Sequence, residues 1–307
     1  MRNPSRYTYC KIKLWITNFR KTQKCKVVGI SVMILLCIVS IFPKEQNLKI
    51  HFIDVGQGDA SLIVTPKGKT VLIDGGGSEN MESYDVGESV LVPYLLDRKI
   101  TTIDYLVVSH FHADHCNGLL AVLEKLKVHH IVMVKQTTTC KEYENFMQKA
   151  KQEKSKIHIV NHGDNILVDS AIRLEVIQAG INSENLNNTS MIAKIVYGNF
   201  SMLFTGDAEI PEEQVVLDGK FKERLRANVL KVGHHGSTTS TSTDFLEAVS
   251  PQIALIGVGQ DNKFGHPKAD TLDKLESKKV NVYRTDLCGE ITIEVNKNGK
   301  MKVKTRY

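Results

Sequence analysis

The sequence predicts an α/β protein built from two strand-rich halves, each of which carries helices. Short apolar strands alternate with amphipathic helices from residue 48 onward in this 307-residue chain. Apolar residues make up 42% of the sequence, enough to bury the core of one large domain or two ordinary ones. A polar stretch, residues 179–190, separates the halves, and we interpret it as a site-lining loop.

The elements follow from apolar periodicity and turn residues. Pro93 marks a kink or a boundary in the first predicted helix. In the first half, strands are predicted at 48–54, 61–65, 70–74, 103–109 and 131–135, and helices at 88–99, 113–127 and 140–154. In the second half, strands are predicted at 156–160, 171–177, 190–198, 200–207, 228–233, 253–259 and 280–285, and helices at 244–250 and 268–277. Residues 289–306 predict a hairpin that turns at Lys297, Asn298 and Gly299.

The net charge of +6 comes from the N-terminus. Residues 1–26 hold eight Lys and Arg and no acid; subtracting these from 40 leaves 32 basic against 34 acidic residues in the rest. The main domain, residues 48–307, is therefore not basic, and bulk charge gives no argument for nonspecific nucleic-acid binding.

An uncharged stretch, residues 27–42, follows this basic segment. Its 16 residues are slightly fewer than the roughly 20 of a membrane-spanning helix. The side chains of the flanking Lys26 and Lys44 can, however, extend their charged ends to the membrane–water interfaces. We predict a transmembrane anchor at residues 27–43, with a cytoplasmic segment at 1–26 and the main domain outside the cell. A cleaved signal peptide, which would make the protein secreted, and a buried soluble helix are the alternatives.

The stretch SHFHADHCNG places His110, His112, Asp114 and His115 within six positions, directly after a predicted strand. Functional loops of α/β proteins follow strand ends in this way. Imidazole and carboxylate ligands together suit zinc, iron or manganese better than calcium or magnesium. The pattern predicts a metal site, and a structural histidine cluster is the alternative.

Ligands this close together cannot surround a metal alone, so others must come from elsewhere in the chain. Three further strand ends carry ligand-type residues, namely Asp207, the pair His234 and His235, and His266. Each has an ordinary explanation by itself. Asp207 could be the N-cap of a helix, and His266 could be an exposed loop residue. Together they favour one shared metal site.

These motifs resemble the metallo-β-lactamase superfamily, whose H-x-H-x-D-H signature SHFHADH matches. Within this superfamily the sequence resembles one group in particular. Eight segments follow, in order, the pattern of the metallo-hydrolase domain at the C-terminus of ComEC-type competence proteins. They are FIDVGQGDA, LIDGGG, SHFHADHCNGL, NNTS, LFTGD, LKVGHHGS, FGHP and VYRTDLCGEITI, within about residues 48–295. Those proteins carry a multi-helix channel region before this domain. This chain has one apolar segment and looks like a membrane-tethered relative.

The resemblance implies a four-layer αββα sandwich with its site along one edge of the two sheets. It also implies residue roles. His110 and His112 would bind a first metal; Asp114, His115 and His266 would bind a second; and Asp207 would bridge the two ions. Asp114, His234 and His235 are the candidate catalytic residues, with His234 or His235 acting as general acid or as a further ligand.

The superfamily supplies one more histidine to the first metal, and this sequence has NNTS, residues 187–190, at that place. We therefore expect two zinc ions or one firmly bound ion, or manganese instead of zinc. Candidate substrate-binding or supporting residues are Asp54, Asp74, Asn188, Ser190, Lys231 and Ser237.

Three of these supporting assignments carry specific expectations. Asp74 would hydrogen bond to the loop of His110. Lys231 would either face a substrate phosphate or be a solvated strand residue. Asp54, with Gln57 and Asp59, would either line the site or form a tight glycine-rich turn.

The function that the resemblance implies is metal-dependent hydrolysis of a phosphodiester such as DNA outside the cell by a metal-bridged hydroxide. A hydrolase of a cell-wall phosphodiester or another ester is one alternative. A non-catalytic accessory binding protein in DNA uptake is another, and it would be marked by lost ligands.

Overall fold

The computed structural model describes residues 13–15, 17–18, 21–23, 26–27, 46–78, 81, 84–136 and 139–307. It divides the chain into two compact units, Met1–Gln46 and Asn47–Tyr307. The predicted anchor at 27–43 lies outside the described residues except for Val27. Among the described residues, no helix has both the length and the apolar character needed to cross a bilayer.

Two β-sheets form the centre of the larger unit. In the described residues the first sheet has the order β15-β14-β1-β2-β3-β4-β5-β6, and the second has the order β13-β12-β11-β10-β9-β8-β7. The strands are β1 (Leu48–Phe52), β2 (Ser61–Val64), β3 (Thr70–Ile73), β4 (Thr102–Val107), β5 (Lys127–Val134), β6 (Lys156–Val160), β7 (Asn165–Leu167), β8 (Ile172–Ala179), β9 (Met191–Tyr197), β10 (Phe200–Phe204), β11 (Val229–Lys231), β12 (Ile253–Ile256), β13 (Asn281–Arg284), β14 (Ile291–Val295) and β15 (Met301–Thr305).

Helices connect the parallel strands of both sheets. The α-helices are α1 (Val92–Asp97), α2 (Ala113–Lys125), α3 (Lys141–Gln152), α4 (Ile210–Asp218), α5 (Thr243–Val249), α6 (Ala269–Ser277) and α7 (Thr285–Cys288). A π-helical turn, Gly87–Leu91, precedes α1, with Pro93 at the start of α1. Short 3-10 turns occur at Leu186–Thr189, Lys222–Arg224 and Gly233–Gly236.

Three apolar cores separate four layers. The central core lies between the two sheets and includes Phe52 and Phe200. A second core packs α1 to α3 against the outer face of the first sheet, around residues such as Leu106 and Phe146. A third packs α4 to α6 against the second sheet, around residues such as Leu230 and Phe245. The expected αββα sandwich is confirmed, and each apolar face is buried against a neighbouring layer.

Parallel pairing brings the functional loops to one edge of the sandwich. In the first sheet β3, β4, β5 and β6 are mutually parallel, and in the second sheet β10, β11, β12 and β13 are. The carboxyl ends of parallel strands share an edge, so the loops that follow β3, β4, β10, β11 and β12 meet there. The turn after β1 reaches the same edge, because β1 and β3 are each antiparallel to β2.

The sequence predicted most strands and α-helices and missed three. The C-terminal hairpin is confirmed, since β14 and β15 pair as antiparallel strands. The missed elements are the helices α4 and α7 and the strand β7, a three-residue strand at the end of its sheet with largely exposed residues. Such a strand has no buried face, so it leaves no apolar alternation in the sequence.

Helix α2 carries site residues in its first turn, and Gly118 allows it to approach the loop after β3. The Gly118 amide donates to the Gly76 carbonyl at 2.9 Å. A Cβ atom on Gly118 would lie 2.1 Å from the carbonyl oxygen of Gly75, which no real packing permits. The glycine therefore fixes how close the first turn of α2 lies to the site.

We predict that Gly118→Ala lowers the free energy of unfolding by about 1–3 kcal/mol, because the overpacked helix must shift. Alanine in a helix interior is otherwise favoured by about 1 kcal/mol over glycine. A decrease in the free energy of unfolding would therefore show that the steric clash outweighs helix propensity. Urea denaturation measures the effect. The control is Glu124→Ala on the exposed face of α2, whose ion pair with Lys149 lies at the surface and contributes little to stability. A stabilised Gly118→Ala variant would contradict the packing.

Candidate metal centre

The loop after β4 places four ligand-type side chains around the start of α2. His110 lies in the loop, His112 is the residue before α2, and Asp114 and His115 occupy its first turn. His110 Nε2 lies 3.1 Å from His112 Nδ1. His110 is fully buried, and this burial holds its pKa well below the usual range. A neutral imidazole is the form that binds a metal.

Asp74 fixes the geometry of this loop from the end of β3. Its Oδ1 accepts a hydrogen bond from the Ser109 amide at 2.8 Å, and its Oδ2 accepts one from the Ser109 hydroxyl at 2.7 Å. Oδ2 also lies 3.0 Å from His115 Nδ1. The carboxylate thus orients both the strand end and one imidazole, which is the support expected of Asp74.

Four buried side chains converge where the two sheets meet. Asp59, His115, Asp207 and His235 each offer a ligand atom, and these atoms lie within 4.8 Å of one another. His115 Nε2 is 3.2 Å from Asp207 Oδ1, and His235 Nε2 is 3.4 Å from Asp207 Oδ2. Asp114 Oδ2 reaches His235 Nε2 at 3.2 Å. Two imidazoles and two carboxylates therefore face a common point.

The donor atoms fit a divalent metal ion. The Nδ1 atoms are held from behind, that of His115 by Asp74 and that of His235 by the Gly257 carbonyl at 2.7 Å. Within the described part of the chain, neither Nε2 has a hydrogen-bond partner of acceptable geometry, and both are buried. Fixing Nδ1 and leaving Nε2 free is how proteins prepare histidine for a metal.

Protons balance the carboxylate charge at this point. Burial opposes charging of His235, but the carboxylates of Asp207 and Asp59 outweigh it and raise its pKa to about 10. Asp207 similarly outweighs burial and raises the pKa of His115. The pKa of Asp207 is lowered despite its burial, because His115, His235 and Lys231 surround it. Metal binding here must displace imidazole protons.

Lys231 lies in the interior, beneath the cluster. It forms an ion pair with Asp59, its Nζ donates to the Gly206 carbonyl at 2.7 Å, and it lies 3.4 Å from Asp207 Oδ1. The side chain is 2% exposed. It is therefore not the solvated strand residue that one expectation proposed, and its contacts are with protein groups beneath the site. The two acidic neighbours outweigh burial and raise the pKa of Lys231.

Sequence reasoning left the two aspartates after β1 undecided. Asp59 is buried in the cluster, so it lines the site. Asp54 is exposed, and its Oδ1 accepts from the Gly56 amide at 3.1 Å, which makes it part of the tight turn. The burial of Asp59 could have been predicted from Lys231, which lies in the apolar strand VLKV, because a buried cation requires a buried anion.

The turn after β11 separates the roles of two adjacent histidines. His234 and His235 both have left-handed backbone conformations, with φ of 45° and 52°. This tight turn directs His235 to the interior, while His234 stays 24% exposed. His234 Nδ1 lies 3.3 Å from Glu209 Oε1, and its Nε2 lies 3.9 Å from Asp207 Oδ2.

His266 has a different place from the one that the resemblance implied. Its ring centroid lies 5.6 Å from that of His234. The position beside Asp114 and Asp207, which we expected for His266, holds His235 instead. The reason is the left-handed turn, which the spacing of residues along the chain cannot indicate. The geometry therefore favours His235 over His266 as the imidazole beside Asp114 and Asp207.

Three other candidate residues hold the surrounding loops. Ser190 Oγ accepts from the Asp207 amide at 3.0 Å, and Asn188 Oδ1 accepts from the Glu209 amide at 3.2 Å. Ser237 Oγ lies 3.0 Å from Thr239 Oγ1. Ser190 and Asn188 thus fix the loop of Asp207, in the segment where an additional histidine was expected.

An open cleft leads to these residues from solvent. Its volume is about 480 Å³. Its walls include the side chains Gln57, His112, Asp114, Asn187, Asp207, His234, Lys263 and Phe264. The buried cluster therefore meets this cleft at Asp207, beside Asp114.

An αββα sandwich with a histidine and aspartate cluster at one edge defines a class of metal-dependent hydrolase folds. The family model described as "Metallo-beta-lactamase superfamily" matches residues 53–259. The chain belongs to this superfamily.

The relatives agree with the narrower resemblance to competence proteins. The chain is 32% identical to "ComE operon protein 3" of Bacillus subtilis over 272 residues, 85% of this chain and 34% of that protein. It is 27% identical to "Competence protein ComA" of Neisseria gonorrhoeae over 276 residues, 88% of this chain and 36% of that protein. It thus spans about a third of the length of these curated relatives.

A solved structure shares the fold. The diiron β-hydroxylase CmlA from Streptomyces venezuelae superposes with a TM-score of 0.53 at 14% sequence identity. The match covers 82% of this chain and 55% of that one. At this identity the likeness concerns the fold alone.

We predict that His235→Ala weakens binding of Zn²⁺ or Mn²⁺ by at least about 10-fold, because the floor of the site loses one of its two prepared Nε2 atoms. His266→Ala, which removes an imidazole beside His234, should weaken it less. Isothermal titration calorimetry on metal-stripped protein measures both. An exposed-site control, Asp244→Asn, should bind as the unmodified protein does. A larger loss for His266→Ala than for His235→Ala would restore His266 as the ligand.

Proposed function

We propose that the protein is a metal-dependent phosphodiesterase that acts on nucleic acid. The observation that carries the proposal is the pair of buried imidazole Nε2 atoms, on His115 and His235, that faces the carboxylates of Asp114 and Asp207 on the floor of an open cleft. Imidazole and carboxylate donors suit Zn²⁺ or Mn²⁺.

The two halves of the site differ in completeness. His115, His235, Asp114 and Asp207 would hold one ion firmly. His110 and His112 would hold a second ion with Asp207 as the shared ligand. Asn187 and Asn188 stand where the wider superfamily has a further histidine, so the ion at His110 and His112 would bind more weakly.

A bound divalent ion would supply Lewis-acid polarisation of the phosphoryl group and a water nucleophile of lowered pKa. The protein's own groups position the substrate and move a proton. His234 faces the cleft, and Glu209 and Thr239 hold its Nδ1, so its Nε2 is free to exchange a proton with the leaving oxygen. Burial lowers the pKa of His234, and the carboxylates of Asp207 and Glu209 act against that shift.

The choice of a nucleic-acid phosphodiester rests on two considerations. A relative that matches most of the chain is named a competence protein, and the resemblance to ComEC-type competence proteins implies a role in DNA uptake. The cleft of about 480 Å³ opens to solvent beside Asp114 and Asp207. Hydrolysis of a cell-wall phosphodiester and non-catalytic DNA binding are the competing functions, and one substrate panel separates them.

We predict that Asp207→Asn reduces hydrolysis of bis-p-nitrophenyl phosphate at least about 100-fold, because the shared carboxylate is lost while side-chain shape is kept. Release of p-nitrophenol with Zn²⁺ or Mn²⁺ present measures it, and circular dichroism checks the fold. The control, Asp218→Asn on the exposed side of α4, should keep full activity. The same assay on single-stranded DNA, duplex DNA, RNA and wall teichoic polymer identifies the substrate. An unmodified protein that cleaves none of them would exclude the phosphodiesterase.

We also propose that residues 27–43 tether the protein to the cell membrane with its hydrolase unit outside. The support is the uncharged run between basic residues 1–26 and Lys44. A tether would keep the enzyme where polymers arrive at the cell surface.

The tether predicts that the full chain stays with membranes after an alkaline carbonate wash, whereas Asn47–Tyr307 expressed alone does not. Protease added to protoplasts should digest the hydrolase unit and spare a cytoplasmic marker protein. Complete protection from protease would place the unit inside, and release of the intact unit into the medium would indicate a cleaved signal.

A further inference from the structure

An aromatic side chain stands at the rim of the cleft. Phe264 lines the same cleft as His112, Asp114 and His234, and it is 48% exposed. The remaining cleft side chains are mostly polar or charged. An exposed phenylalanine beside a polar metal cleft has no partner in the apolar cores, so it is suited to a planar ligand.

Ring contacts connect Phe264 to the floor of the site. Its ring stacks on His266 with centroids 5.8 Å apart and planes 22° apart. The His266 ring contacts His234, whose Nε2 lies 3.9 Å from Asp207 Oδ2. Phe264 and Asp207 therefore line one cleft and are connected through the rings of His266 and His234.

The same loop places a cation next to the ring. Lys263 Nζ lies 5.1 Å from the Phe264 ring centroid, and it also lines the cleft. Lys268 Nζ donates to the Phe264 carbonyl at 2.8 Å, which holds the loop backbone. An aromatic face with a neighbouring ammonium is how proteins bind a nucleobase and the phosphate beside it.

We propose that Phe264 stacks on a base of a single-stranded nucleic acid and that Lys263 contacts the adjacent phosphate. This inference rests on the proposed phosphodiesterase and names the part of the site that selects its substrate. A duplex keeps its bases stacked inside, and a base-free polymer has no ring to offer, so both would miss this contact. The main unit has no excess of basic residues, so phosphate attraction must come from individual lysines such as Lys263.

The test measures binding by the full chain, with metal chelated so that no turnover occurs. Fluorescence anisotropy compares a labelled thymidine oligonucleotide with an abasic oligonucleotide that has the same phosphates. We expect Phe264→Ala to weaken binding of the thymidine strand about 5- to 100-fold, since base stacking contributes about 1–3 kcal/mol and 1.4 kcal/mol is tenfold. The loss for the abasic strand should be under about threefold. Phe264→Trp should restore binding.

Lys263→Ala should weaken binding of both strands and lower the salt dependence by about one phosphate contact. The chain offers a matched control, because Lys220 Nζ lies 4.9 Å from the Phe221 ring centroid outside the cleft. Lys220→Ala should leave both affinities unchanged.

Equal losses for the two strands, or none, with Phe264→Ala would overturn the inference, as would an unmodified protein that binds neither strand. These outcomes are independent of hydrolysis. If Phe264 stacks on bases but the protein cleaves no phosphodiester, only the proposed activity is contradicted. If the protein cleaves a phosphodiester but binds both strands equally, only the base stacking is contradicted.

Discussion

The burial of carboxylates at one edge of the sandwich is the constraint on which the site depends. Asp59, Asp74 and Asp207 are all nearly inaccessible to solvent. An unpaired buried charge is strongly destabilising, so each must have a cationic or donor partner. Asp59 has Lys231, Asp74 has Ser109 and His115, and Asp207 has His115 and His235. The contacts that neutralise these buried carboxylates therefore also orient the imidazoles of His115 and His235.

Because these pairings join residues that are distant in sequence, the fold can be predicted from the sequence better than the set of metal ligands can. Most strands and helices follow from local apolar patterns, whereas the four-layer order and the edge that carries the site follow from the family motifs. Ligand types are also visible, because His110, His112, Asp114 and His115 lie together in one segment. Which of the distant histidines reaches Asp207 depends on backbone conformation.

The exchange between His235 and His266 illustrates that limit. Both follow strands of the second sheet, and both were plausible partners for Asp114. The left-handed turn at His234 and His235 favours His235, since it leaves the His234 ring at the cleft and directs the His235 ring inward. Lys231 is a similar case. Its residue type suggested solvent or a phosphate, but the charge of Asp59 makes its burial stable.

The distribution of charge also accounts for the different metal affinities that we propose for the His115 and His235 side and the His110 and His112 side of the site. The carboxylates of Asp207 and Asp59 face His235, and those of Asp207 and Asp74 face His115. Both imidazoles have raised pKa values because these carboxylates outweigh burial. His110, by contrast, is buried where its pKa is lowered, with the Ser109 hydroxyl and the His112 imidazole as its polar neighbours. A cation is therefore attracted more strongly to the His115 and His235 side, and the His110 and His112 side depends on the shared Asp207.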